Sequence, residues 1–217
     1  MNAQVTKTAA FDVDAQKGFT PLCPNELPVV GGHLIGAELN FMASLADIRV
    51  GSKDAHSPQA PWVVDSHEQM LKPTGLEHAD LTWVSHCVPG TEGFTLLDEL
   101  PEPQDYDYFV WKGVEPALHP YGACFHDLQH KLSTGVIEYL NARHVRQVIV
   151  GGLALDFCVK TTALQLAGAG FKVIVYLPAC RAISADGAQQ AVHDLQQARI
   201  ELVNSREQLA RAASHKE

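Results

Sequence analysis

The feature that most constrains this chain is an alternation of short apolar runs with stretches of helical spacing. "TAAFDVD" (8–14), "DIRVGSKD" (47–54), "YDYFVWKG" (106–113), "RQVIVGG" (146–152), "FKVIVYLP" (171–178) and "RIELVN" (199–204) read as strands. Between them, "GGHLIGAELNFMASLA" (31–46), "STGVIEYLNARH" (133–144), Asp156 to Ala169 and "GAQQAVHDLQQA" (187–198) read as helices. Ser133 or Thr134 is the expected cap of the second of these, and Gly170 closes the third. Strands that are apolar on both faces need cover on both faces. The expected fold is therefore a three-layer α/β/α arrangement around a mainly parallel sheet. Segment 57–105 breaks the alternation: it is rich in Pro, His and acidic residues and reads as a loop-rich insertion over one sheet edge. The ends, about 1–7 and 212–217, are expected to fray.

At 217 residues the chain reads as one domain, 1–217, with enough length to bury a core unaided. A formal net charge of −9 with no Lys/Arg cluster argues against a nucleic-acid partner, whose phosphates demand a basic face. No apolar run approaches the length of about 18 residues that a membrane span requires. The first ten residues, "MNAQVTKTAA", lack the apolar centre of a secretory signal, so a cytoplasmic location is expected. Five widely spaced cysteines, Cys23, Cys87, Cys124, Cys158 and Cys180, suit reduced thiols better than a disulfide framework.

In sheets of this kind ligands bind beyond the carboxyl ends of the strands. That rule selects Asp14 after the first strand, Asp54 and His56 after the second, Lys112 after a later one, and 153–158 after another. Asp14 follows an apolar strand, where poor solvation raises a carboxyl toward the range of a general base. A turn-forming or helix-capping aspartate is the competing reading. Asp12, two residues earlier, is expected to be structural or supporting. Lys112 either snorkels to the surface or points its charge into the site. Cys158 is either a small buried hydrophobe or a nucleophile whose thiol is acidified by the first turn of a helix. Asp54 and His56, two apart, can aim at one point, and His86 can join them. Two imidazoles and a carboxylate suit Zn²⁺ or Fe²⁺ with positions left open; a polar loop with solvated histidines explains the same residues.

Four stretches taken in order resemble a known family: "VDAQKGF" (13–19), "KDAHSP" (53–58), "WVSHCVPGTEG" (83–93) and "GGLALDFCVKTTAL" (151–164). They are similar to the motifs of the nicotinamidase/pyrazinamidase group of isochorismatase-like cysteine hydrolases. The resemblance implies Asp14 as base, Lys112 as its partner and Cys158 as nucleophile. It implies metal ligation by Asp54, His56 and His86, with zinc favoured and iron or manganese as alternatives. It further implies a cis peptide at Leu153–Ala154 and an oxyanion hole from the N–H groups of Ala154 and Cys158. Phe19 and Trp83 match ring-sandwiching aromatics, with Tyr121 and Leu153 beside them in the pocket. The implied reaction converts nicotinamide, and by extension pyrazinamide, to the acid and ammonia, as a step of NAD salvage. A homo-oligomer is the family-level expectation. Leu155 departs from the family's usual Thr, the segment 115–127 departs from its pocket wall, and Asp65, His67 and Glu68 are unassigned candidates for a further ligand.

Other readings of the same residues remain. A related hydrolase acting on a different carboxamide or ureido compound shares the fold, although such relatives generally lack the metal motifs. A phospho-acceptor receiver also places acids and a lysine at strand ends, yet has no use for Cys158 or His86. A metal-bound water could replace Cys158 as nucleophile.

Overall fold

The structure is a computed structural model that describes residues 6–214. Eight strands form: β1 (Lys7–Val13), β2 (Ile48–Asp54), β3 (Val63–Val64), β4 (Trp83–Val84), β5 (Tyr108–Lys112), β6 (Val145–Leu153), β7 (Lys172–Arg181) and β8 (Glu201–Val203). Five α-helices accompany them: α1 (Gly36–Ser44), α2 (Val136–Ala142), α3 (Lys160–Gly168), α4 (Ala185–Gln197) and α5 (Arg206–Ser214). Six strands make the main sheet in the order β5-β2-β1-β6-β7-β8, and every pairing within it is parallel. β3 and β4 make a separate two-residue pairing inside the insertion, which is otherwise turns and short 3₁₀ segments.

The strand pleat sorts side chains into two cores. Ala10, Ile149, Ile174 and Tyr176 point to one face, where Leu39 and Met42 of α1 and Leu209 and Ala212 of α5 cover them. Their neighbours Phe11, Val148, Val150 and Val175 point to the other face, under α2, α3 and α4. This period of two on each strand is what a sheet buried on both sides requires. Among the described residues no helix is long and apolar enough to cross a membrane. All five cysteines are unpaired thiols.

Several expectations need correction. Gly135, at a φ of 85°, occupies the N-cap of α2 with no side-chain cap bond, so neither Ser133 nor Thr134 is the cap. Ser133 instead accepts from the Gly135 N–H and donates to Glu138. Residue 7 begins β1, and 212–214 complete α5, whose Leu209, Ala212 and Ala213 are buried; only 1–5 and 215–217 lie outside the described residues. The expected helix from Asp156 is two pieces, a π-helical turn (Leu155–Val159) and then α3.

Candidate active site

Strand order fixes where a site can form. From β1 the chain crosses to β2 on one side, and β6 returns to the other side of β1. The sheet thus changes winding direction between β1 and β6, and the crevice beyond their carboxyl ends is the natural ligand position. Asp14 leaves β1 there and Cys158 follows β6, while β2 and β5 end on Asp54 and Lys112. Close strand approach at this point requires Gly152, with a φ of 133°, because a Cβ there would collide with the Val13 carbonyl. Asp14 adopts a left-handed φ of 44°, a conformation short polar side chains tolerate.

Lys112 is the hub. Its fully buried ammonium sits 2.9 Å from Asp14 Oδ2 and 3.6 Å from Cys158 Sγ, and it also binds Asp54 Oδ1. Ser52 donates to Asp14 Oδ1 at 2.7 Å, fixing the carboxylate's other oxygen. The ligand atoms of Asp14, Asp54 and Cys158 all lie within 4.8 Å of one another. Asp54 is held by its backbone: Gln16 Oε1 accepts from the Asp54 N–H at 2.7 Å while Gln16 Nε2 donates to its carbonyl at 2.9 Å.

Burial pushes the Asp14 carboxyl up to about 6, with Lys112 opposing and Asp54 adding to the rise. Burial acts on Asp54 too, but there Lys112 and His56 outweigh it and hold the carboxyl below its usual range. Lys112 itself is kept protonated: its two carboxylate neighbours overcome the desolvation that would discharge it. For Cys158 the expected acidification by a helix start does not prevail. Burial raises the thiol well above its ordinary value despite Lys112, so the resting group is a thiol that needs a base.

Beside this cluster stand three imidazoles. His56, His86 and His119 each offer a ring nitrogen, and these nitrogens lie within 4.8 Å of one another. His86 Nδ1 bonds the Val84 carbonyl at 2.7 Å, leaving Nε2 for the site. Both ring nitrogens of His119 are buried with no hydrogen-bond partner in the structure. Burial and the neighbouring imidazoles push His86 down to about 3 and His119 well below the ordinary histidine range, so both rings are neutral at physiological pH. Room for His56 depends on Gly113, at a φ of 72°, since a Cβ there would strike the imidazole. His56 Nε2 also lies 3.4 Å from Asp54 Oδ1.

Residues 59–207 match the isochorismatase domain family. The chain belongs to that family. A nicotinamidase from Acinetobacter baylyi is 30% identical over 207 residues, covering 94% of this chain and 95% of that protein. Among solved structures, an Acinetobacter baumannii nicotinamidase/pyrazinamidase superposes with a TM-score of 0.80 at 28% identity, covering 95% of this chain and all of that one (100%). A Pyrococcus horikoshii pyrazinamidase in complex with zinc superposes with a TM-score of 0.70 at 25% identity, over 91% of this chain and 99% of that one.

Within this isochorismatase-domain chain the structure gathers Asp14, Lys112, Cys158, Asp54, His56 and His86 at one sheet edge. Phe19, Trp83 and Tyr121 line the cleft next to Cys158, as expected. Leu153 does not: its side chain is fully buried in the core with α1, and only Ala154 reaches the cleft. The Leu153–Ala154 peptide is cis. The Ala154 carbonyl accepts from the N–H groups of Phe157 and Val159, bypassing that of Cys158 between them. Leu155 packs among the apolar residues under α3 and α4, a setting that suits a hydrocarbon side chain. Asp65, His67 and Glu68 are exposed, and the His67 ring contacts the Glu26 carbonyl at 2.6 Å, so none joins the ligand group.

Sequence reasoning missed His119 as a third imidazole, along with Leu27, Phe157 and Ile183 in the cleft wall. His119 lies in the loop after β5, in the segment that departs from the family's usual pattern, two residues before Tyr121. With eleven histidines in the chain, only its position in space separates it from the rest.

Proposed function

We propose that this chain hydrolyses nicotinamide to nicotinate and ammonia, a step of NAD salvage, through a thioester on Cys158. The observation that carries the reading is the joining of Asp14, Lys112 and Cys158 in one buried cluster beside three converging imidazoles. The similarity to a nicotinamidase over nearly the whole chain supports the choice of substrate.

Asp14 takes the thiol proton of Cys158, and the sulfur attacks the amide carbon. Lys112, beside both groups, limits the cost of forming negative charge in a dry site. The N–H groups of Ala154 and Cys158 receive the oxyanion. Asp14 returns its proton to the amide nitrogen, the C–N bond breaks, and ammonia leaves an acyl thioester. Asp14 then draws a proton from water, whose oxygen attacks the same carbon; nicotinate departs and the thiol is restored. Phe19, Trp83 and Tyr121 supply apolar walls for the pyridine ring.

A divalent metal fits the imidazole group, because His56, His86 and His119 each bring a ring nitrogen within 4.8 Å of the others and neither nitrogen of His119 has another partner. His56, His86 and His119 would hold it, with Asp54 adjoining His56; zinc is the favoured ion, as in the zinc-bound pyrazinamidase of similar fold. When bound it supplies a positive anchor for the ring nitrogen of the substrate or for a water bridging to it.

The test is direct. Purified protein incubated with nicotinamide is expected to release ammonia, to lose that activity on chelation and to regain it with added zinc. No ammonia with the metal restored would overturn the proposal.

A further inference from the structure

The cleft beside Cys158 is nearly filled, with about 10 Å³ open, room for roughly one water. Much of its wall is aromatic. Phe19 is 3% exposed, Trp83 2%, His86 2% and His119 3%, and their rings pack on one another. One side differs. Leu27 and Ile183 separate the cleft from a second pocket of about 190 Å³, whose other lining residues are Pro28, Val29, His67 and Met70. Ile183 and Met70 are only half-buried, and Pro28 and His67 are exposed, so this pocket faces solvent.

An aromatic ring entering the cleft must displace something, and the Leu27–Ile183 partition is the wall with free space behind it. Moving it joins the two volumes, leaving more room than an unsubstituted ring fills. No carboxylate, lysine or arginine lines the added space, so a charged group gains no ionic partner there. An alkyl group would gain by burial.

We propose that the second pocket is an extension of the substrate site and that it receives a small apolar substituent on the ring of an aromatic carboxamide. The proposal rests on the nicotinamide reading. Each methylene buried there offsets part of the cost of moving the partition, as burial does in other apolar pockets.

The experiment uses the metal-loaded enzyme and a panel of nicotinamides carrying methyl, ethyl or carboxylate groups at each free ring carbon. At least one ethyl derivative is expected to be hydrolysed with kcat/KM within about tenfold of nicotinamide, and its carboxylate counterpart at least about tenfold more slowly. Met70→Trp, which fills the pocket without touching the cleft, is expected to depress the ethyl derivative about tenfold while nicotinamide is spared. A thermal melt run alongside verifies that the variant folds. If nicotinamide is hydrolysed but every ethyl derivative is refused, the extension is overturned. Equal loss on both substrates in a folded Met70→Trp variant would overturn it too. Failure with nicotinamide itself strikes the underlying reading instead.

Discussion

Two buried acids at the end of one strand show what separates a structural charge from a reactive one. Asp12 and Asp14 are two residues apart, and both are almost fully buried with carboxyls raised by burial. Asp12 meets Arg49, whose Nη2 and Nε lie 2.6 and 2.9 Å from Oδ2, and Tyr106 donates to the same oxygen at 2.9 Å. One carboxylate faces one guanidinium that cannot lose its proton, so the charges balance and nothing moves. At Asp14, two carboxylates and a thiol share a single ammonium. That cluster has one cation for three groups that can be anionic, so at least one proton must be held among them. Burial is common to both sites; the number of partners is what differs.

The sharpest way to break the contrast is to remove the thiol. Cys158→Ala is expected to lower kcat by at least about 10³-fold while leaving the fold intact. Ammonia release surviving within about tenfold would instead favour a water nucleophile. Asp14→Asn comes next, with a loss of roughly 10²–10⁴-fold in kcat and no loss of thermal stability at pH 8. The sign follows from linkage. The folded-state value of about 6 exceeds the ordinary 3.8, so the folded protein holds the extra proton between them. Ionising Asp14 therefore costs stability as pH rises through that window, and the amide removes the cost. Asp54 has the opposite sign: its lowered carboxyl stabilises the fold above its ordinary range, and that contribution is lost on acidification.

His119→Ala is expected to weaken zinc affinity, read by competition with a chromogenic chelator, by at least about 10–100-fold. An unchanged affinity would remove His119 from the ligand group. A smaller effect is the acid limb of the pH profile. With Asp14 near 6, kcat/KM is expected to fall by about tenfold per pH unit below that point and to be flat just above it. Asp12→Asn is the mildest change. It leaves the Arg49 guanidinium, 18% exposed, facing a neutral amide, at about 1–3 kcal/mol of stability in denaturant titration, with activity little altered. Activity falling as far as in Asp14→Asn would erase the distinction between the two acids.

Much of this molecule is written locally. The apolar runs fix strands whose two faces are both buried, and parallel strands joined by helices follow from that. Asp14, Asp54 and Lys112 could be placed because each lies at or just past the carboxyl end of a strand, where side chains reach the ligand edge. Tertiary structure decided the rest. His119 comes from a loop with no periodicity, and it becomes a third imidazole only because that loop folds over His56 and His86. Leu153 ends β6 with its side chain fully buried in the core that includes α1, whereas the next residue, Ala154, lines the cleft, a one-residue difference that position at a strand end does not resolve. The state of Cys158 was likewise not local. A helix start acts over one turn, whereas desolvation depends on everything packed around the sulfur, and here desolvation wins. The sequence by itself determined which residues arrive at the sheet edge. Only the packing of distant segments determined that Asp14 shares one ammonium with a second carboxylate and a thiol, while Asp12 faces a guanidinium of its own.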